Sequence, residues 1–134
     1  MKHITLLLVF LLTSCFQPER EVIYEVKNIA TKQKAILTLT PAEFNVGDIY
    51  HVYILFEKET IKGNDYGIVF SANNWDNALP RDTSKIKMKW LTEDTLKISY
   101  NSKLRIYNQV IKTRDNVIIY EEMKDSIKTE NSSR

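Results

Sequence analysis

The chain has 134 residues, of which 43% are hydrophobic and 27% are charged, and 19 basic and 17 acidic groups give a net charge of +2. This length accommodates one domain, and the scarcity of Gly and Pro, three of each, excludes a collagen-like or low-complexity chain. The near balance of charge argues against the broad cationic surface of a nucleic-acid-binding protein.

Residues 1–14 have the pattern of a secretory signal peptide. Lys2 precedes an unbroken apolar run over residues 6–12. That run is too short for a membrane-spanning helix, which needs about 20 apolar residues, but it suits the hydrophobic region of a signal peptide. It ends in Leu12-Thr13-Ser14-Cys15, which resembles the lipobox of bacterial lipoproteins.

This resemblance implies lipidation of the Cys15 thiol, cleavage before Cys15, and a short tether over residues 15–20. Phe16 stands where an Asp would retain an enterobacterial lipoprotein in the inner membrane. The resemblance therefore implies anchoring in the outer membrane, facing the periplasm or the cell surface. The alternatives are an ordinary signal peptide with an incidental Cys, or an uncleaved anchor. Cys15 is the only Cys, so no intramolecular disulfide can form.

Residues 21–123 alternate apolar and polar side chains with period 2, which is typical of β-strands. Residues 49–56 are apolar on both faces apart from His51, which predicts a central strand. Short polar turns after residue 90 predict a meander of hairpins in the second half. We predict strands near residues 21–27, 35–39, 49–56, 66–72, 85–90, 96–100, 104–107 and 117–121.

The strand at residues 85–90 is predicted to have one apolar and one cationic face. Ile86, Met88 and Trp90 alternate with lysines at positions 85, 87 and 89. We therefore expect Trp90 to be buried and the lysines to face water, an acidic strand or phosphate-rich lipopolysaccharide.

The predicted fold is all-β, a single antiparallel domain of about eight strands over residues 21–123. A sheet of that size tends to split into a small sandwich or to curl into a barrel-like roll. The tail, residues 124–134, has little apolar content and is expected to fray. Trp90-Leu91 at a strand end, an acidic turn, and Thr95-Leu96 opening the next strand resemble small bacterial envelope lipoproteins. This resemblance implies an antiparallel sheet and no established activity.

Catalytic, metal and cofactor motifs are missing from the sequence. After the signal segment the only His is His51, which excludes a metal site built on several His ligands. No nucleophile elbow, P-loop or dinucleotide fingerprint occurs. Adjacent carboxylates such as Glu93 and Asp94 are expected to be solvated acids at turns. We therefore expect no catalytic residue, metal or cofactor.

Trp75, Asn74 and Asp76 are the candidate binding residues. Trp75 is flanked by these two and by further amides, and a Trp in such a setting can stack on a sugar ring or anchor a protein contact. The favoured alternative is that Trp75 packs against the edge of the sheet.

These observations together predict a lipid-anchored, non-catalytic binding or interaction module of the cell envelope, with an envelope protein or a glycan as partner. One alternative is an immunity- or inhibitor-type lipoprotein that presents the loop at residues 73–83. A less favoured alternative is a small envelope hydrolase that uses His51 or convergent carboxylates.

Overall fold

The computed structural model describes residues 19–41, 47–63, 66–75, 79 and 85–124. Within that part of the chain all regular structure is β, and no helix is long and apolar enough to cross a membrane. The strands are β1 (Glu21–Asn28), β2 (Gln33–Thr40), β3 (Asp48–Phe56), β4 (Ile68–Asn74), β5 (Ile86–Trp90), β6 (Thr95–Asn101), β7 (Arg105–Gln109), β8 (Lys112–Thr113) and β9 (Asn116–Met123).

The strands form two separate sheets, which confirms the predicted all-β class in its sandwich-like form. The five-stranded sheet has the order β1-β2-β3-β4-β7, and the four-stranded sheet has the order β5-β6-β9-β8. β3 lies in the middle of the larger sheet, as its two apolar faces predict. Every pairing is antiparallel except that of β6 with β9, which is parallel.

The predicted meander in the second half is wrong. After β6 the chain crosses to the other sheet, where β7 pairs with β4, and it then returns so that β9 lies parallel to β6. β4 is buried along nearly its whole length. A buried strand needs a partner on both sides to satisfy its backbone groups, and β7 provides the second one.

The core lies between the two sheets. Alternate side chains of β2 and β3 point inward and pack against apolar residues of the smaller sheet, as the period-2 pattern requires. The buried cluster contains Ala35, Leu37, Leu39, Tyr50, Val52, Ile54, Val69, Phe70, Ala72, Leu79, Ile86, Met88, Leu96, Ile98, Leu104 and Ile118.

Hydrogen bonds from side chains to backbone groups of β1 and β5 hold the edges of the two sheets together where no strand pairing occurs. The Tyr24 hydroxyl donates to the Ile86 carbonyl at 2.9 Å and accepts from the Met88 amide at 3.0 Å. The Trp90 indole N–H donates to the Val26 carbonyl at 3.2 Å. The two Tyr24 bonds supply partners to the outer edge of β5, which would otherwise present unpaired backbone groups, and the Trp90 bond supplies one to β1.

The burial of β5 agrees with the predicted faces, with two differences. Ile86 and Met88 are buried, and Trp90 packs on the core from the same face but is only half-buried. Lys85, which we expected on the exposed face, is buried at 3% exposure, whereas Lys87 and Lys89 are exposed. Lys85 precedes the first residue of β5, so strand alternation does not apply to it.

Candidate functional site

A row of polar side chains crosses the outer face of the five-stranded sheet. In register, Thr38 of β2 lies opposite His51 of β3, His51 opposite Ser71 of β4, and Ser71 opposite Asn108 of β7. Residues directly opposite in antiparallel strands point to the same face of the sheet. We call these four residues the polar band.

Above the polar band lies a surface cavity of about 500 Å³. This volume is within the range of small-molecule sites, about 300–1,000 Å³. Its lining combines aliphatic side chains with hydroxyl, amide and imidazole groups, and none of these lining residues is Asp, Glu, Lys or Arg. The described residues that line it are Ile49, His51, Ile68, Ser71, Asn73, Tyr107 and Asn108.

His51 and Ser71 form a hydrogen bond on the floor of the cavity. The distance from His51 Nδ1 to Ser71 Oγ is 2.8 Å, and Ser71 is buried at 8% exposure. The His51 ring also meets the Tyr53 ring edge to face, with centroids 6.1 Å apart. Sequence reasoning found His51 but no partner Ser, because Ser71 is 20 residues away and only the strand register brings the two together.

Tyr107 lines the cavity and belongs to an aromatic cluster with Arg105 and Trp75, which we call the aromatic rim. The Arg105 guanidinium carbon lies 5.5 Å from the Trp75 ring centroid and 5.7 Å from that of Tyr107, distances typical of cation–π contacts. Trp75 is 44% exposed and Tyr107 is 54% exposed. The register between β4 and β7 shifts by one residue at Tyr107, and such bulges redirect a side chain.

The three predicted binding residues have different environments. Trp75 is exposed and contacts Arg105, so it is neither buried at the sheet edge nor isolated. Asp76 lies outside the described residues, as do residues 77–78 and 80–83 of the loop proposed for an inhibitor. Cys15 and the segment predicted to be a signal peptide lie outside them too.

Asn74, which the sequence predicts as a binding residue beside Trp75, has a buried side chain. It is fully buried, and its amide accepts from the Leu79 backbone N–H at 3.1 Å and donates to the Leu79 carbonyl at 2.8 Å. Gly47, with φ of +77°, packs so closely on the Asn74 carbonyl that a Cβ would collide with it. Asn74 therefore has a structural role at the start of the loop.

Asp94 and Glu121 lie away from the polar band and are engaged in local bonds. Asp94 accepts hydrogen bonds from the Thr92 and Thr95 hydroxyls, which lower the pKa of its carboxyl group. Glu121 accepts from Lys97 at 2.6 Å and Ser99 at 3.0 Å, and these bonds lower its pKa. Within the described ranges, no cluster of three or more His, Cys, Asp or Glu has the arrangement of a metal site.

The chain segment before β1 approaches the same outer face. The Arg20 guanidinium carbon lies 5.4 Å from the ring centroid of Tyr53. Tyr53 points outward because its neighbours Val52 and Ile54 point into the core. The outer face of the larger sheet therefore carries the cavity, the aromatic rim and a contact with the N-terminal segment.

Comparison of the chain with known protein families, with curated proteins and with solved structures found no match.

Proposed function

We propose that this protein is a lipid-anchored, non-catalytic binding module of the bacterial cell envelope, and that it holds a saccharide over the polar band. The observation that carries this proposal is the cavity itself, because its described lining residues offer uncharged hydrogen-bonding groups and Tyr107 connects it to the aromatic rim. The Leu12-Thr13-Ser14-Cys15 motif supports an outer-membrane anchor at an acylated Cys15.

The chemistry of the lining suits hydroxyl groups. A sugar hydroxyl both donates and accepts, and so do serine hydroxyls, carboxamides and the neutral imidazole ring. Asn108 is exposed at the rim, whereas Ser71 is nearly buried at the floor. A ligand can therefore meet one polar group at the entrance and others at depth.

The apolar parts of the site suit the C–H faces of a sugar ring. Ile49, Ile68 and Tyr107 line the cavity, and the rings of Tyr107 and Trp75 are both exposed. Rigid aromatic rings provide a large contact area while their polar atoms remain in water. Arg105, held between these two rings, adds a cation that suits an acidic substituent on the sugar.

A panel of immobilised envelope polysaccharides tests the proposal. The mature chain from residue 15, carrying Cys15→Ser so that it stays unacylated, is expected to bind at least one member. Asn108→Ala and Tyr107→Ala should weaken that binding by about tenfold or more, equal to about 1.4 kcal/mol each. Ile119→Ala, at an exposed position of the other sheet, is the matched control and should bind normally. Equal binding by all three variants would overturn the assignment of the site.

The anchor has its own test. Metabolic labelling with a fatty-acid analogue should mark the wild-type protein and should not mark the Cys15→Ala variant. Equal labelling of the two would remove the lipoprotein assignment without affecting the saccharide proposal.

A small hydrolase is the second candidate function, because Ser71 and His51 are within hydrogen-bond distance. The Ser of a nucleophile elbow stands on a sharp turn that exposes its Oγ, whereas Ser71 lies within a strand that has neighbours on both sides. Mass spectrometry of the bound saccharide after prolonged incubation separates the two candidates. We expect the saccharide to stay intact, and cleavage that Ser71→Ala abolishes would establish the hydrolase.

A further inference from the structure

We propose that the cavity faces the lipid bilayer and that its ligand is the saccharide headgroup of a glycolipid in the membrane that anchors the protein. This inference rests on the proposed function, because it needs both the acylated Cys15 and a saccharide in the cavity. It adds the orientation of the domain and the physical state of the ligand.

The first step is the position of the N-terminal segment. Arg20 immediately precedes β1, and its guanidinium lies over the outward-pointing ring of Tyr53. Tyr53 in turn touches His51 of the polar band, with ring centroids 6.1 Å apart. The chain therefore reaches β1 by way of the face that carries the cavity, and not by way of the opposite sheet.

The second step is the length of chain that separates this contact from the anchor. Cys15 is five residues before Arg20, and a fully extended chain spans at most about 3.6 Å per residue, so the two Cα atoms are no more than about 18 Å apart. A domain of about 100 residues has a radius of gyration near 13 Å, which corresponds to a diameter of about 34 Å. The tether is thus shorter than the domain is wide.

The orientation follows from these two lengths. If the four-stranded sheet faced the bilayer, the tether would have to pass around the whole domain while Arg20 stayed on Tyr53. With the five-stranded sheet toward the bilayer, the acyl chains enter the membrane beside the cavity. The cavity then opens at the level of the lipid headgroups, where the accessible saccharides are those attached to lipids.

Charge on this face agrees with a headgroup ligand. Within the part of the chain that the structure describes, Arg105 contacts two aromatic rings and has no carboxylate within ion-pair distance. Arg20 adds a second cation on the same face. Envelope glycolipids carry phosphate or carboxylate groups beside their sugars, and arginine pairs well with both groups.

The orientation is tested with the acylated protein in vesicles that contain a headgroup-labelled quencher lipid. Acylation consumes the Cys15 thiol, so a single new Cys carries the fluorophore. Asn108→Cys reports on the cavity face, and Ile119→Cys reports on the opposite sheet. Both positions are exposed, which makes the two variants a matched pair. We expect quenching severalfold stronger at position 108, and equal quenching or the reverse order would overturn the inference.

Two further variants test whether the short tether and the Arg20 contact cause this orientation. A 15-residue Gly-Ser insertion between Cys15 and Arg20 removes the length limit, and Arg20→Ala removes the contact with Tyr53. Both should reduce the difference in quenching between the two positions, whereas Glu19→Ala should leave it unchanged. An unaltered difference after the insertion would show that the tether does not set the orientation.

The ligand is tested separately. The unacylated Cys15→Ser chain should bind vesicles that contain lipopolysaccharide in preference to vesicles of phosphatidylethanolamine and phosphatidylglycerol alone, and Tyr107→Ala should lose that preference. Binding to free polysaccharide without binding to the glycolipid vesicles would keep the proposed function and overturn the headgroup ligand. Binding to neither would overturn the proposed function, and the quenching result would still report the orientation.

Discussion

Replacement of Tyr24 by Phe is expected to lower the free energy of unfolding by about 2 kcal/mol, because one hydroxyl serves two backbone groups of β5. Each net hydrogen bond contributes about 0.5–1.5 kcal/mol, and a buried polar group without a partner costs about 1–3 kcal/mol. Tyr24 is half-buried, so water can replace part of the lost bonding in the variant. The expected loss is therefore well below the sum of the upper limits for the lost hydrogen bonds and the backbone groups left without partners.

Urea denaturation at neutral pH measures this effect through the shift of the midpoint at constant slope. Tyr107→Phe is the matched control, since that hydroxyl belongs to a side chain that is 54% exposed, and its change should stay within about 0.5 kcal/mol. A loss below about 0.5 kcal/mol for Tyr24→Phe, or equal losses in the two variants, would refute the view that the hydroxyl stands in for a strand partner.

The same hydroxyl predicts a dependence of stability on alkaline pH. Burial raises the pKa of Tyr24 above its ordinary value of 10.0, since the folded state favours the protonated phenol. Its contribution to stability is therefore complete below pH 10 and is lost as the pH rises through the raised pKa. Burial also raises the pKa of Tyr120, so Tyr24→Phe should make the alkaline loss shallower without abolishing it. An unchanged slope of urea midpoint against pH would contradict this assignment.

Three further variants test the packing. Trp90→Ala should lower the free energy of unfolding in urea titrations by about 2–3 kcal/mol. A fully packed Trp would cost about 3–5 kcal/mol, but Trp90 is only half-buried. A loss below about 1 kcal/mol would contradict its contact with the core. Asn74→Ala should lose about 2 kcal/mol, because both Leu79 backbone groups lose partners, while Asn108→Ala should stay within about 0.5 kcal/mol. Gly47→Ala should lower the melting temperature, because its φ of +77° and the nearby Asn74 carbonyl disfavour a Cβ; an unchanged Tm would refute this.

The strands themselves are predictable from the sequence because side-chain alternation is a local property. The apolar run at residues 49–56 identified β3 as the central strand, and its neighbours on both sides confirm this. The alternation over residues 86–90 assigned Ile86 and Met88 to the core. In each case a few adjacent residues carry the whole signal.

The choice of strand partners is not predictable in the same way. Sequential strands pair in roughly two-thirds of cases, and the meander prediction relied on that tendency. β7 instead completes the far edge of β4, and β9 lies parallel to β6. Both pairings depend on backbone groups of β4 and β6 that need partners, and side-chain alternation carries no information on which distant strand will supply them.

The candidate site was only partly accessible to sequence reasoning for the same reason. Trp75 was found because an aromatic residue among amides is unusual within a short window. The polar band combines β2, β3, β4 and β7, so His51, Ser71 and Asn108 become neighbours only when the register is known. Arg105 gave no signal of its own, because its role at the aromatic rim depends on ring contacts across two strands.

On the outer face of the five-stranded sheet, side chains that stabilise the fold occupy one end and side chains that suit binding occupy the other. At one end of this face Ile36, Tyr53 and Leu55 form a small apolar cluster that adds buried area. At the other end β3 carries His51 and the neighbouring β4 carries Ser71. Polar groups in the middle of a sheet gain little for stability, since their desolvation offsets their hydrogen bonds, and aliphatic side chains would continue the apolar cluster at lower cost. The sequence thus departs from the pattern that favours folding at the point where the cavity opens, as is expected of a binding surface.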